Sequence, residues 1–95
     1  MNEPTLHVIP VPMLPEEIMS TKEAAHRVQV TERTVRRWCR EYGIGRQPKS
    51  GATVQVSIVA LEMCVCGDDE ALELLRTNQR EHPTVQFYIN RLGLI

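Results

Sequence analysis

Four arginines stand at Arg33, Arg36, Arg37 and Arg40. On a helix turning about 100° per residue they fall within an arc of about 100°. Guanidinium forks pair bidentately with phosphate oxygens and with the guanine edge. A merely solvated charge face would carry matching acids one turn away, but only Glu32 and Glu41, with Glu23 nearby, stand against the four cations. Duplex DNA is therefore the expected partner. Val35, Trp38, Cys39 and Tyr42 recur at i, i+3, i+4 and i+7 on the opposite side, the spacing of a packed face.

Other chemistry-bearing residues form no constellation. Cys64 and Cys66 are two apart, which on a helix points them roughly 200° from each other. Cys39 belongs to a different segment, and a structural zinc needs four converging ligands. The three thiols are expected reduced, buried or half-buried, and metal-free. His7, His26 and His82 are scattered, none beside a nucleophile. No phosphate-cradling loop, paired carboxylate site or nucleotide fingerprint occurs. The expectation is a protein that is no enzyme, with no catalytic residues, no metal, no cofactor and no small-molecule ligand.

With 95 residues the chain makes one small domain, too short for a barrel or a doubly wound sheet. Aromatics are 4% of it, so an aliphatic core is expected. No apolar run approaches the roughly 20 residues of a membrane span, and no basic segment leads into an apolar signal core. An odd number of cysteines without an export signal favours a reducing, cytoplasmic setting. The net charge of −1 conceals a polarised chain. Between Ile18 and Leu61 eight basic residues meet three acids, +5; elsewhere three basic residues meet nine acids, −6. A basic centre with acidic ends suits an anionic partner for the centre and separate work for the ends.

The elements that must position these residues can be read from caps and periods. Ser20 with Glu23 is a capping box opening a helix over Thr21–Val28, whose Ala24 and Ala25 allow close approach. Thr31 caps a second helix running to Tyr42, and Gly43 ends it. Two short capped helices across so brief a connection read as helix-turn-helix. The alternating Thr53–Ser57 reads as a strand, with Ile44–Gln47 as its partner across a polar turn, a hairpin wing. Ser57 caps a third helix, Ile58–Cys66. Asp68 caps a fourth running to about Arg80, and Pro83 starts a last one over Thr84–Leu92. Residues 1–17, with Pro4, Pro10, Pro12 and Pro15, form neither helix nor central strand. Their apolar Leu6, Val8, Ile9, Val11 and Leu14 read as an extended arm, lying loosely on its own domain or docking on a neighbour as an assembly arm. The fold class expected is mainly α with a small β-hairpin wing. It comprises an arm (1–17), a winged helix-turn-helix (18–67) and a C-terminal helical extension (68–95) that packs on the domain or mediates assembly.

In such a motif the first residues of the second helix reach base edges, nominating Thr31, Glu32, Arg33, Arg36 and Arg37. Arg40, a turn further on, meets a phosphate. Glu32 either accepts from a cytosine amino group or holds Arg36 by an i, i+4 pair. Ser20, Thr21 and Lys22 offer side chains and free N–H groups to phosphate. Arg46, Gln47, Lys49 and Ser50 sit at the wing, suited to a minor groove, or else are a solvated tip.

The run Ser20-Thr21-Lys22-Glu23-Ala24-Ala25, followed by Val30-Thr31-Glu32-Arg33-Thr34-Val35-Arg36-Arg37-Trp38-Cys39, resembles the MerR-like winged helix-turn-helix of excisionases, the recombination directionality factors. Val56-Ser57-Ile58-Val59-Ala60-Leu61 resembles the strand-to-helix step after their wing. The resemblance spans about residues 18–67. It implies a non-catalytic, sequence-specific DNA-binding protein of a mobile element or prophage in the bacterial cytoplasm, associated with the nucleoid. Several copies would bind adjacent sites of an attachment region, bend the DNA and direct an integrase toward excision; the apolar arm, as donor to the next copy, separately suggests cooperative, head-to-tail binding along tandem sites. Arg33, Arg36 and Arg37 match recognition-helix positions, and Arg46 and Lys49 wing positions. MerR-type transcription regulators share these motifs, so regulation of a promoter is the alternative. A protein-binding antiactivator that uses the acidic helices is another.

Overall fold

A computed structural model describes residues 8–93. Over that span the chain is mainly helical, with five α-helices and a small three-stranded antiparallel sheet. A 3-10 turn at Pro15–Glu17 leads into β1 (Ile18–Met19). Then come α1 (Thr21–Val28), α2 (Glu32–Tyr42), β2 (Gly45–Arg46), β3 (Gln55–Ser57), α3 (Ile58–Val65), α4 (Asp69–Arg76) and α5 (Pro83–Arg91). Leu6 of the arm and His7 lie outside the described residues.

Local hydrogen-bond chemistry sets the first two helices. Glu23 N–H donates to Ser20 Oγ at 3.0 Å, and Ser20 N–H returns to Glu23 Oε1 at 2.9 Å, the reciprocal capping box. Thr31 Oγ accepts from Thr34 N–H at 3.1 Å to start α2. Between them Gln29 takes a left-handed φ of 60° and ends α1. Gly43, at φ 69°, ends α2.

In the sheet β3 lies central, with Ile18 opposite Ser57 on one side and Gly45 opposite Val56 on the other. The two hairpin strands are shorter than their alternating pattern suggests, and β1 is a third strand that the proline-rich context hides. The helix expected to reach Arg80 stops at Arg76. Asn78 turns left-handed there (φ 64°), and its N–H and that of Gln79 bond back to Leu75 and Leu74 carbonyls, each at 2.9 Å.

One core serves the whole described chain. Val35 of α2, Val56 of β3 and Val59, Ala60, Leu61 and Met63 of α3 are fully buried with Leu75 of α4 and Val85 of α5. Leu72 and Ile89 are nearly so, and Tyr88 is the single buried aromatic residue among those described. As far as it is described, to Gly93, the C-terminal extension therefore packs on the domain as part of its core. Tyr88 Oη donates to Asp68 Oδ2 at 2.7 Å while Asp68 Oδ1 accepts from Ala71 N–H at 3.0 Å, joining α5 to the cap of α4. Burial, and then this carboxylate, raise the phenol's pKa.

The arm departs from expectation. From Val8 on it lies on its own domain, and tightly. Val11 and Met13 are buried, and Val11 N–H donates to Gly43 O at 2.9 Å. Ile9 O accepts from Arg76 Nε at 3.1 Å. Of the nominated arm residues that are described, only Ile9 (70%) and Leu14 (45%) are exposed, and Val11 is no longer available to a neighbour. Glu17, 2% exposed, receives Arg80 Nη2 on one carboxylate oxygen and Leu14 N–H on the other. The acidic extension thus holds the arm by two arginines, Arg76 and Arg80.

Gly43 is where arm and helix meet, and two constraints act there. Its φ is left-handed, and a Cβ would come within 2.6 Å of Ile9 O. Gly43→Ala should cost more than about 1 kcal/mol through backbone strain alone, and further through displacement of the arm. Thermal unfolding measures it; an unchanged Tm contradicts the seating of the arm.

Candidate nucleic-acid interface

All four arginines of α2 are exposed, as the wheel requires, while Val35 behind them is fully buried. The rest of the expected packed face is less covered: Trp38 and Cys39 are half-buried and Tyr42 is 39% exposed. The physical reason is position. α2 packs on α1 and β2, and its C-terminal half overhangs toward α4 across open clefts.

Two of the arginines carry long, exposed i, i+4 pairs, Arg36–Glu32 at 3.4 Å and Arg37–Glu41 at 3.7 Å. Pairs of this kind contribute little and yield readily to a stronger anion. Arg33 and Arg40 have no carboxylate partner among the described residues.

Beside this face lies a groove of about 460 Å³. Arg36 and Arg40 line it from α2, Arg46 and Gln47 from the hairpin, Val8 and Pro10 from the arm, and Cys39, Gly45 and Val54 complete the lining. Three arginines from two elements thus line one concavity. Arg46 is held there by Gln55, whose Oε1 accepts from Arg46 Nε at 2.8 Å across the β2–β3 pair. Gly45 permits this closeness, since a Cβ would sit 2.5 Å from Cys39 Sγ. Burial pushes the Cys39 thiol up to about 11, so it lines the groove as a neutral group.

The other nominated residues divide. Lys22 is exposed at the start of α1, and Lys49 and Ser50 at the hairpin tip. Gln47 Nε2 donates to Ala52 O at 2.7 Å and braces the loop, which makes that nitrogen structural. Ser20 spends its hydroxyl oxygen on the cap of α1. Thr21 is a correction: it is 8% exposed and its Oγ1 donates to Glu32 Oε1 at 3.0 Å, so its hydroxyl is turned inward. The same Glu32 oxygen takes Arg36 Nη2. Glu32 thus touches both Thr21 and Arg36, the second contact being one of the weak pairs above. Thr31 Oγ is occupied by the α2 cap. Nothing in the sequence nominates Gln55, Val8 and Pro10 for this groove. The first sits in an ordinary strand pattern, and the other two reach the groove only through tertiary contacts of the arm.

Among the described residues no three His, Cys, Asp or Glu side chains gather as a metal site. No helix among them is long and apolar enough to cross a membrane. No family model, curated protein or solved structure matches the chain.

Proposed function

We propose that the chain is a winged helix-turn-helix protein that binds duplex DNA and acts as an excisionase, without catalysis of its own. In this reading α1 and α2 form the helix-turn-helix, α2 enters the major groove and the β2–β3 hairpin is the wing. The observation that carries it is the lining of one groove by Arg36, Arg40 and Arg46, beside an Arg33 that has no carboxylate partner among the described residues, while the buried side of α2 is anchored by Val35. A solvated charge face has no reason to place arginines from two elements along one groove. A phosphodiester backbone lying between helix and hairpin supplies such a reason. The excision role extends the sequence resemblance. It includes assembly of several copies on adjacent sites and an integrase as partner, since one module of this size covers only about 600–1,000 Å².

Fluorescence anisotropy on a selected site and on random duplex, at several salt concentrations, tests the interface. Arg33→Ala or Arg36→Ala should cost about 1–3 kcal/mol on the selected site, the size of a lost bidentate base contact. Arg40→Ala should weaken both DNAs alike and flatten the salt slope by about one unit. Unchanged binding by an Arg33/Arg36 double mutant sinks the docking mode. Footprints on tandem sites beside a recombination core support excision, whereas a single palindromic promoter site favours a transcription regulator.

A further inference from the structure

The side of α2 turned away from the arginines carries a second surface of different chemistry. Trp38 and Tyr42, one turn apart, are both only partly covered. With Leu72 and Asp69 of α4 and with Cys64 they line a cleft of about 270 Å³. An adjoining cleft of about 250 Å³ shares Tyr42, Asp69 and Leu72 with it and adds Glu41 and Glu73. The floor is aromatic and aliphatic. Burial pushes the Cys64 thiol up to about 11, so this too is an uncharged lining group. The rim is carboxylate.

Cations are scarce here. Arg76 is the guanidinium among the residues lining the clefts, and it is committed to Glu73 at 2.5 Å, Tyr42 O at 2.6 Å and Ile9 O at 3.1 Å. Asp69 has no hydrogen-bond or ion-pair partner among the described residues, and Glu41 has only its 3.7 Å contact with Arg37. Such a surface repels a phosphate backbone. It suits a cation that lays its stem over Trp38 or Tyr42 and presents its charge to Asp69 and Glu41.

We propose that this double cleft docks a short cationic segment of a second protein, one in which arginine or lysine stands beside an apolar side chain. Charge complementarity names the chemistry. Size limits the contact to a few side chains. A second copy of this chain is the less suited occupant, because most of its unpaired basic residues lie on α2, the start of α1 and the hairpin, the surfaces assigned to DNA; Arg91 of α5, exposed over Phe87, is the exception, and the dimerisation outcome below tests it. To that extent the choice of occupant rests on the DNA reading. The helix would then hold DNA on one side and a protein on the other.

The test uses the full chain and a Trp-free, acetylated and amidated peptide of alternating leucine and arginine, followed through Trp38, the only tryptophan. A saturable change in its fluorescence is expected. Peptides with glutamate for arginine, or glycine for leucine, should give none. Asp69→Asn and Tyr42→Ala should each weaken the titration by about five-fold, the size of one exposed ion pair or one exposed cation–π contact. Their DNA affinity, measured separately, should stay as in the parent chain. Conversely, an Arg36/Arg40 double alanine mutant should lose DNA and keep the peptide, so failure of either reading is seen apart from the other. Equal response to the glutamate or glycine peptides, or indifference to both cleft substitutions, overturns the proposal. So does concentration-dependent dimerisation that Asp69→Asn abolishes, which would make a second copy the occupant.

Discussion

A chain ending at Gly67 should fail to fold, although it keeps every residue of the proposed DNA-binding motif. Truncation removes Leu72, Leu75, Val85, Tyr88 and Ile89 from the core and uncovers Leu61 and Met63 of α3, which are fully buried. Burying an aliphatic side chain of this size contributes about 1.5–3 kcal/mol, so the lost aliphatics alone amount to on the order of 10 kcal/mol. That is comparable to the whole net stability of a small domain, about 5–15 kcal/mol. The arm would also lose both arginines that hold it. Far-UV circular dichroism on heating is decisive: a sigmoidal melt of the truncated chain would mean that the C-terminal helices are an appendage.

The second large effect is expected at Arg80. Its guanidinium is 20% exposed, but its partner Glu17 is 2% exposed. The two single deletions are therefore unequal. Arg80→Ala strands a buried carboxylate and should cost about 3–5 kcal/mol, a fall in Tm on the order of 20 °C. Glu17→Ala leaves a cation that can swing toward water, and should cost less. Replacing both residues by apolar ones of similar volume should recover most of the loss, because the remaining charge has gone. Chemical denaturation of the three variants gives the comparison. Equal costs for the two singles would show that the pair is not buried as described.

Much of this molecule is legible in its sequence wherever structure follows from residues close together. Ser20 with Glu23, Thr31 and Gly43 announce the ends of α1 and α2 because each satisfies backbone groups within a turn. The arginine arc follows from helical geometry alone. What escaped depends on distant partners. Arg76 and Arg80 look like ordinary cations near an acidic helix, and nothing local tells that their acceptors are Ile9 O and Glu17. Val11 and Met13 sit in a proline-rich run without helical period, so their burial shows only once the arm has a surface to lie on. The wheel puts Trp38 on the packed side but gives direction and not cover; whether another element reaches that side is a tertiary matter. Thr21 and Glu32 illustrate the same limit at the interface. Each residue type suits DNA, yet their side chains meet each other, 11 positions apart.

Arg76 also sets a timetable. Its guanidinium closes contacts 67 residues back to Ile9 and 34 back to Tyr42. During synthesis the arm and the arginine-bearing helix are both made before α4, and contacts of such separation form late because loop closure must precede them. The nascent chain therefore displays its cations well before it can fix the helix that carries them, and the groove has no seated wall until α4 arrives. In the proposed reading, competence to bind DNA then comes only once α4 has docked, and a product cut short before it holds the charge without the shape.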